Sequence, residues 1–111
     1  MHMVATETRV IGNYINGAFV ASTSTRTLPV VSPVDGSLLA EVPCSTAADL
    51  DNAVQAAAAV FPKWSRTTIK ERVQVFFRYK TLLERDLQEL AALVSRENGK
   101  THGEGVAEIE K

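Results

Sequence analysis

The stretch from Thr68 to Lys100 constrains the fold most, because it encodes two consecutive helices. Thr68 and Glu71 have the spacing of a capping box, in which each side chain satisfies a backbone N–H group that the first helical turn leaves unpaired. A helix is therefore predicted to begin at Ile69. Its apolar residues cover well over half of the circumference, more than a surface helix needs, so we expect several neighbours to cover it. These residues are Ile69, Val73, Phe76, Phe77, Tyr79, Leu82 and Leu83.

The following segment predicts an ordinary amphipathic helix. Asp86 and Glu89 form a second capping signal, and Asn98-Gly99 supplies a left-handed stop. Between them, apolar residues recur at i, i+3, i+4 and i+7, which places them on one side of the helix. These residues are Leu87, Leu90, Ala91 and Val94.

The first half of the chain predicts short strands. Asn16-Gly17 lies between apolar residues, and this pair favours a hairpin because both turn positions need a positive φ. Thr27–Val31 is a second candidate, and its internal Pro29 indicates an edge strand. After a turn at 32–36, a third strand is predicted over 37–42, stopped by Pro43. We expect these strands to form one small antiparallel sheet covered by helices.

Two more helices are predicted from capping signals. Thr46 and Asp49 resemble a capping box, and the helix that follows is predicted to end at Pro62, with Trp64 just beyond it. A fourth helix opens at Thr101 and has few apolar residues before Lys111. Because tertiary burial supplies most of a helix's stability, this incomplete apolar face indicates a piece of a longer protein, truncated in its last helix.

Composition excludes several classes of protein. Of the 111 residues, 45% are hydrophobic and 23% are charged, and the net charge of -1 indicates neither disorder nor a nucleic-acid partner. No apolar run is long enough for a membrane span, and residues 1–11 lack the pattern of a secretory signal, so a cytoplasmic protein is predicted. Cys44 is the single cysteine, which excludes an intrachain disulfide and a cysteine-based metal site.

No catalytic, cofactor-binding or metal-ligating residue can be assigned from the pattern. Gly103-Glu104-Gly105 begins like a dinucleotide loop, but Glu108 stands where the third glycine belongs and no strand precedes it. Cys44 precedes a helix, which can activate a thiolate, but a small half-buried side chain is the favoured interpretation. His2 and His102 offer no ligand spacing.

Three cations receive structural roles. Arg72 falls inside the apolar arc of its helix, so it is expected to pair with a carboxylate or with carbonyls at a helix end, and a structural ion pair is favoured over substrate binding. Lys80 can extend to water and needs no partner. Lys100 is expected to satisfy carbonyls at the preceding helix end.

From Asn13 onward, the sequence resembles the N-terminal segment of the aldehyde dehydrogenase superfamily. In the strand region the matching residues are Tyr14-Ile15-Asn16-Gly17, Ser32-Pro33, Gly36 and Val42. In the helical region they are Asp49, Ala53, Trp64, Arg72, Leu90-Ala91, Glu97-Asn98-Gly99-Lys100 and Glu108. The motifs most similar to the methylmalonate-semialdehyde dehydrogenase branch are Val42-Pro43 with Ser45-Thr46, Phe76-Phe77-Arg78-Tyr79 and Gly99-Lys100-Thr101.

The resemblance implies an α/β parent fold. This chain would be an α+β piece of it, a small antiparallel hairpin or sheet followed by three to four helices. Residues 1–12 would form a flexible arm, and residues 13–111 the N-terminal part of the cofactor-binding domain. The implied enzyme oxidises malonate or methylmalonate semialdehyde with NAD, transfers the acyl group to coenzyme A with loss of carbon dioxide, and is a homo-oligomer.

The chemistry of the implied enzyme would lie outside this chain. Its reactive cysteine belongs to a region downstream, so Cys44 inherits no role, and neither NAD nor coenzyme A is expected to bind this chain alone. Two hypotheses follow. The chain is either an inactive N-terminal portion of such an enzyme, or a standalone helical module that uses the same scaffold to bind a partner or itself.

Overall fold

The computed structural model describes residues 9–111. Over these residues the chain forms four short strands and then four helices, as the sequence predicted. The strands are β1 (Asn13–Ile15), β2 (Ala18–Val20), β3 (Thr27–Val31) and β4 (Leu38–Pro43), and the helices are α1 (Ala47–Arg66), α2 (Ile69–Arg85), α3 (Leu87–Asn98) and α4 (His102–Glu110).

The described chain divides into two compact units. The first contains the residues up to Val31 together with Ser37–Phe61, and the second contains Ser32–Gly36 and Pro62–Lys111. The first unit therefore holds the strands and most of α1, whereas the second holds the remaining helices.

The predicted hairpin is confirmed. β1 and β2 pair antiparallel, and the turn residues Asn16 and Gly17 have φ values of 52° and 79°. Positive φ at both positions matches the right-handed twist of the flanking strands. Tyr14 and Phe19 face each other across the pair, with their ring centroids 5.0 Å apart in an edge-to-face arrangement.

The expectation of one small sheet was wrong. The described strands form two separate two-stranded sheets, β1 with β2 and β3 with β4, both antiparallel. The intervening segment explains the separation, because the Thr23 amide donates to Asp49 at the start of α1 rather than to a neighbouring strand. Pro29 lies in β3, which pairs with β4 alone among the described strands, so its edge position is confirmed.

Most of the predicted arm at residues 1–12 lies outside the described residues. Its last part differs from the prediction, because it is hydrogen-bonded to β4. The Ile11 amide donates to the Glu41 carbonyl at 2.9 Å, and the Glu41 amide donates to the Arg9 carbonyl at 2.9 Å.

The predicted end of α1 at Pro62 was wrong, because the helix continues to Arg66. Proline removes one backbone donor but keeps its carbonyl, and the Ser65 hydroxyl donates to the Pro62 carbonyl at 3.1 Å. The Thr67 hydroxyl donates in the same way to the Lys63 carbonyl at 3.1 Å, which satisfies an acceptor of the last turn. Trp64 therefore lies inside the helix rather than beyond its end.

The start of α2 is confirmed, and the second capping signal is not. Thr68 and Glu71 form the reciprocal capping box at the first turn of α2. Asp86 precedes α3 but makes no side-chain cap. Its carboxylate instead accepts two hydrogen bonds of 2.8 Å from the Arg85 guanidinium, which is the stronger donor.

The end of α3 is also confirmed. Gly99 has a φ of 70°, and its amide donates to the Ser95 carbonyl at 2.9 Å, which is the left-handed stop that the sequence predicted. α4 then begins with a second reciprocal capping box between Thr101 and Glu104.

The closest helix packing lies between α3 and α4. Ala91 of α3 is 0% exposed, and Gly105 of α4 is buried against it. A Cβ atom at Gly105 would stand 2.6 Å from the Ala91 carbonyl oxygen, so only glycine allows the two backbones to come this close. No large apolar side chain among the described residues is fully buried.

Candidate functional site

Asp49 is the most heavily hydrogen-bonded side chain of the first unit, and it anchors a loop to α1. It is 6% exposed and lies in the first turn of the helix. Its carboxylate accepts hydrogen bonds from the Ser22 hydroxyl at 2.6 Å, the Thr46 amide at 2.9 Å and the Thr23 hydroxyl at 3.0 Å. The Asp49 amide donates back to the Thr46 hydroxyl, so the predicted capping box is confirmed.

These donors hold the pKa of Asp49 far below its usual range. The Ser22 hydrogen bond is the largest cause, followed by the Thr46 amide, while desolvation acts in the opposite direction. A carboxylate held ionised by several donors is a poor general base. Asp49 is therefore an anchor, and sequence reasoning missed its link to Ser22 and Thr23 because these residues lie 27 and 26 positions away in the chain.

Asp49→Asn is expected to release the 22–23 segment from α1, because an amide donates where the carboxylate accepts. Amide hydrogen exchange at Thr23 should become several-fold faster. Because the folded-state pKa of Asp49 is lowered, its stabilising effect is present above the pKa of an unfolded aspartate and is lost as the pH falls through the folded-state value.

Asp51→Asn is the matched control for this substitution, because Asp51 lies two residues further along the same helix and is exposed. This variant should leave exchange at Thr23 unchanged. Equal exchange rates in the Asp49 and Asp51 variants would show that the carboxylate does not hold the loop.

The predicted role of Lys100 was wrong. Its ammonium group lies 2.9 Å from Glu108 of α4, and Lys111 approaches the same carboxylate oxygen at 3.0 Å. The hydrogen bond from Lys100, followed by that from Lys111, lowers the pKa of Glu108 to about 2. All three side chains are more than a third exposed, so water and salt screen the pairs and they add little stability.

Lys80, which was predicted to need no partner, forms an ion pair with Glu84 one turn along α2.

The glycine motif in α4 has a structural explanation. The side chain of Glu104 completes the capping box with Thr101, and Gly105 faces Ala91. The Ala91 backbone fills the space at Gly105 and the Glu104 carboxylate completes the cap, so the motif forms no cradle for phosphate. At the start of α4, Glu104 therefore caps the helix and Gly105 allows it to pack against α3.

Cys44 and His102 also have local structural roles. Cys44 is a half-buried free thiol in the first unit, and its amide donates to the Arg26 carbonyl at 2.8 Å. His102, in the second unit, is 2.8 Å from the side-chain oxygen of Gln88. His2 lies outside the described residues. Within residues 9–111, no group of three or more His, Cys, Asp or Glu side chains is placed to hold a metal ion.

The largest functional candidate is the apolar surface of α2. Phe76 is 64% exposed and Phe77 is 59% exposed, although both were predicted to lie against other elements of a complete protein. Leu83, Val106 and Ile109 are half-buried. Contiguous exposed apolar area is characteristic of surfaces that bind a protein, a ligand or a membrane. The other exposed apolar residues of α2 are Ile69, Val73, Val75, Tyr79 and Leu82.

Arg72 lies within this apolar surface without the partner that the sequence predicted. Its Nε atom is buried and has no hydrogen-bond acceptor among the described residues. It forms no ion pair with any of them either. The predicted ion pair is therefore absent from this part of the chain. Arg72 and four apolar side chains line an open hollow of about 310 Å³, and the four are Trp64, Ile69, Val73 and Phe76.

Comparison with known proteins identifies the scaffold. The model of the aldehyde dehydrogenase family matches residues 19–111. The chain belongs to the aldehyde dehydrogenase family. It corresponds to the N-terminal segment of that family, as the ordered motifs predicted.

Two curated aldehyde dehydrogenases illustrate the similarity. Malonate-semialdehyde dehydrogenase 1 of Geobacillus kaustophilus is 43% identical over 111 residues, which is 100% of this chain and 23% of the relative. Malonate-semialdehyde dehydrogenase 2 of Bacillus cereus is 40% identical over 106 residues, which is 96% of this chain and 22% of the relative. The chain thus spans less than a quarter of the length of these relatives.

A solved aldehyde dehydrogenase structure shares the fold of this segment. A Sinorhizobium meliloti protein assigned as a methylmalonate-semialdehyde dehydrogenase, crystallised with NAD, superimposes with a TM-score of 0.87 at 35% identity. The match covers 92% of this chain and 21% of that one. The predicted α+β class of this segment, small antiparallel β-structure followed by helices, is confirmed.

The described residues contain no open phosphate-binding loop, although the solved relative is complexed with NAD. The only segment resembling a phosphate loop within residues 9–111 is Gly103-Glu104-Gly105, and its second glycine is closed off by the Ala91 backbone. We assign no cofactor contact and no chemical step to these residues.

A search of the described helices for a segment that could span a lipid bilayer found none.

Proposed function

We propose that this chain is the N-terminal portion of an NAD-dependent, coenzyme A-acylating dehydrogenase for malonate or methylmalonate semialdehyde. The 43% identity to a malonate-semialdehyde dehydrogenase over all 111 residues carries the proposal. The superposition on an NAD-containing structure supports it. The proposal includes a cytoplasmic homo-oligomer as the active form.

In the proposed reaction, NAD accepts a hydride from the aldehyde carbon and coenzyme A receives the acyl group as carbon dioxide leaves. A cysteine thiolate outside this chain would attack the aldehyde. The residues of this chain would provide scaffold, through the Asp49 anchor, the α3–α4 pair and the apolar surface of α2. We therefore expect the chain alone to be inactive.

A chimera tests the proposal. This chain would replace the matching segment of the Geobacillus kaustophilus enzyme, and NADH formation would be followed with malonate semialdehyde and coenzyme A. We expect the folded chimera to be active and residues 1–111 alone to produce no NADH. A folded chimera without activity, or NADH formation by the chain alone, would contradict the proposal. Circular dichroism and sedimentation provide the control for folding.

The alternative is a standalone helical module that binds a partner or itself. The exposure of Phe76 and Phe77 is the observation that favours it. The genomic sequence beyond Lys111 separates the two. A reading frame that continues into a cysteine-containing catalytic domain supports the dehydrogenase, whereas a stop codon with a soluble, monodisperse product supports the module.

A further inference from the structure

The hollow around Arg72 combines a cation with an apolar rim, and we call Trp64, Ile69, Arg72, Val73 and Phe76 the Arg72 patch. All five residues belong to the second unit. The rim is open, since Ile69 and Phe76 are among the exposed apolar residues of α2 and Trp64 is 41% exposed. The Arg72 patch is therefore accessible to a complementary protein surface.

The chemistry of the arginine identifies what is missing from the patch. Burying a polar group without a hydrogen-bond partner is unfavourable, and the Nε atom of Arg72 has none among residues 9–111. A guanidinium presents its donors in a planar fork that matches the two oxygens of a carboxylate. Charge complementarity therefore predicts that the covering surface carries an acidic side chain opposite Arg72. The apolar rim predicts that this acidic side chain is surrounded by apolar ones.

We propose that the Arg72 patch docks an apolar segment bearing one aspartate or glutamate, supplied by the remainder of the dehydrogenase. This inference rests on the proposed function, because the relatives contain more than three-quarters of their length beyond the segment matched here. The carboxylate pairs with Arg72 while the apolar neighbours cover Trp64 and Phe76. Arg72 is a positioning residue that sets the register of this docking.

The test compares the same substitution in two contexts. Arg72→Met keeps the length of the aliphatic stem and removes the charge and the donors. In the isolated 111-residue chain it should leave the melting temperature unchanged or raise it, because an unsatisfied buried donor is removed. In the chimera described above, it should lower the apparent melting temperature by about 3 °C or more, because the docked carboxylate loses its partner.

Arg78→Met is the matched control, because Arg78 lies on the same helix and is exposed. It should change the melting temperature by less than about 1 °C in both contexts. Arg72→Lys should recover part of the loss in the chimera, because lysine keeps the charge and lacks the fork. If the isolated chain has no cooperative transition, helicity at a fixed temperature replaces the melting temperature.

A double-mutant cycle then identifies the acidic residue. One Asp→Asn or Glu→Gln substitution in the enzyme portion should lower the melting temperature of the chimera when made by itself. The same substitution should cause no further decrease when Arg72→Met is already present. The absence of any coupled acidic residue, equal losses from the Arg72 and Arg78 variants, or equal losses in both contexts would overturn the inference.

A chimera that does not fold is replaced by co-expression of the chain with the remainder of the relative. Recovery of the tagged complex should fall with Arg72→Met and not with Arg78→Met, and the reverse or no difference would overturn the inference. Activity is not the readout of either experiment. A folded chimera that forms no NADH would thus count against the proposed function. The comparison of Arg72→Met with Arg78→Met would still test the docking proposal.

Discussion

Gly105→Ala is expected to destabilise the packing of α3 against α4 by about 2 kcal/mol. The new Cβ atom would lie 2.6 Å from the Ala91 carbonyl oxygen and 3.3 Å from the Ala91 Cα atom. Both atoms belong to the backbone of a helix, so they cannot move aside as a flexible side chain could. Overpacking costs about 3 kcal/mol in such a site, and the better helix propensity of alanine offsets about 1 kcal/mol.

Chemical unfolding followed by circular dichroism measures this effect, and Gly103→Ala is its control. Gly103 lies in the same helix with no atom within 4 Å of its Cβ position. Gly103→Ala should be neutral or stabilising by up to about 1 kcal/mol. Two glycine substitutions in one helix should therefore change stability in different directions. Equal effects would mean that the close approach of the two helices does not form.

The second large effect is expected on self-association. We propose that the 111-residue chain forms oligomers or aggregates through the α2 surface, because Phe76 and Phe77 are both more than half exposed. Burying a phenylalanine contributes about 1.5–3 kcal/mol, so the double substitution Phe76→Gln with Phe77→Gln should weaken association by about 100-fold or more. Sedimentation over a range of concentrations measures the change.

Gln74→Ala with Arg78→Ala is the control for the double substitution, because both residues are polar and exposed on the same helix. These changes should leave association nearly as strong as in the unchanged chain. A chain that sediments as a monomer at every concentration and melts cooperatively would show that the exposed surface of α2 does not drive association.

Features that depend on neighbouring residues in the chain could be predicted. The capping box at Thr68, the helix start at Thr101 and the left-handed stop at Gly99 were confirmed. So was the Asn16-Gly17 turn. Each of these satisfies backbone donors or a required φ within about four residues, so the pattern alone identifies it.

Features that depend on competition between partners could not be predicted in this way. Asp86 looked like a cap, but Arg85 binds its carboxylate. Lys100 was expected to bind carbonyl groups at the end of the preceding helix and instead forms an ion pair with Glu108. At Asp86 two kinds of donor compete for one carboxylate, and the charged guanidinium of the adjacent Arg85 binds it instead of the backbone amides. At Lys100 several acceptors compete for one ammonium group, and the position of α4 favours Glu108.

The sequence by itself determined the order of the elements, the helix starts and the family, because these follow from local hydrogen bonding and from ordered motifs. The tertiary structure alone decided that Ser22 and Thr23 bind Asp49, that the strands form two sheets, and that Gly105 lies against Ala91. Those contacts join residues distant in sequence. Their energies depend on how closely whole elements approach, which no local pattern specifies.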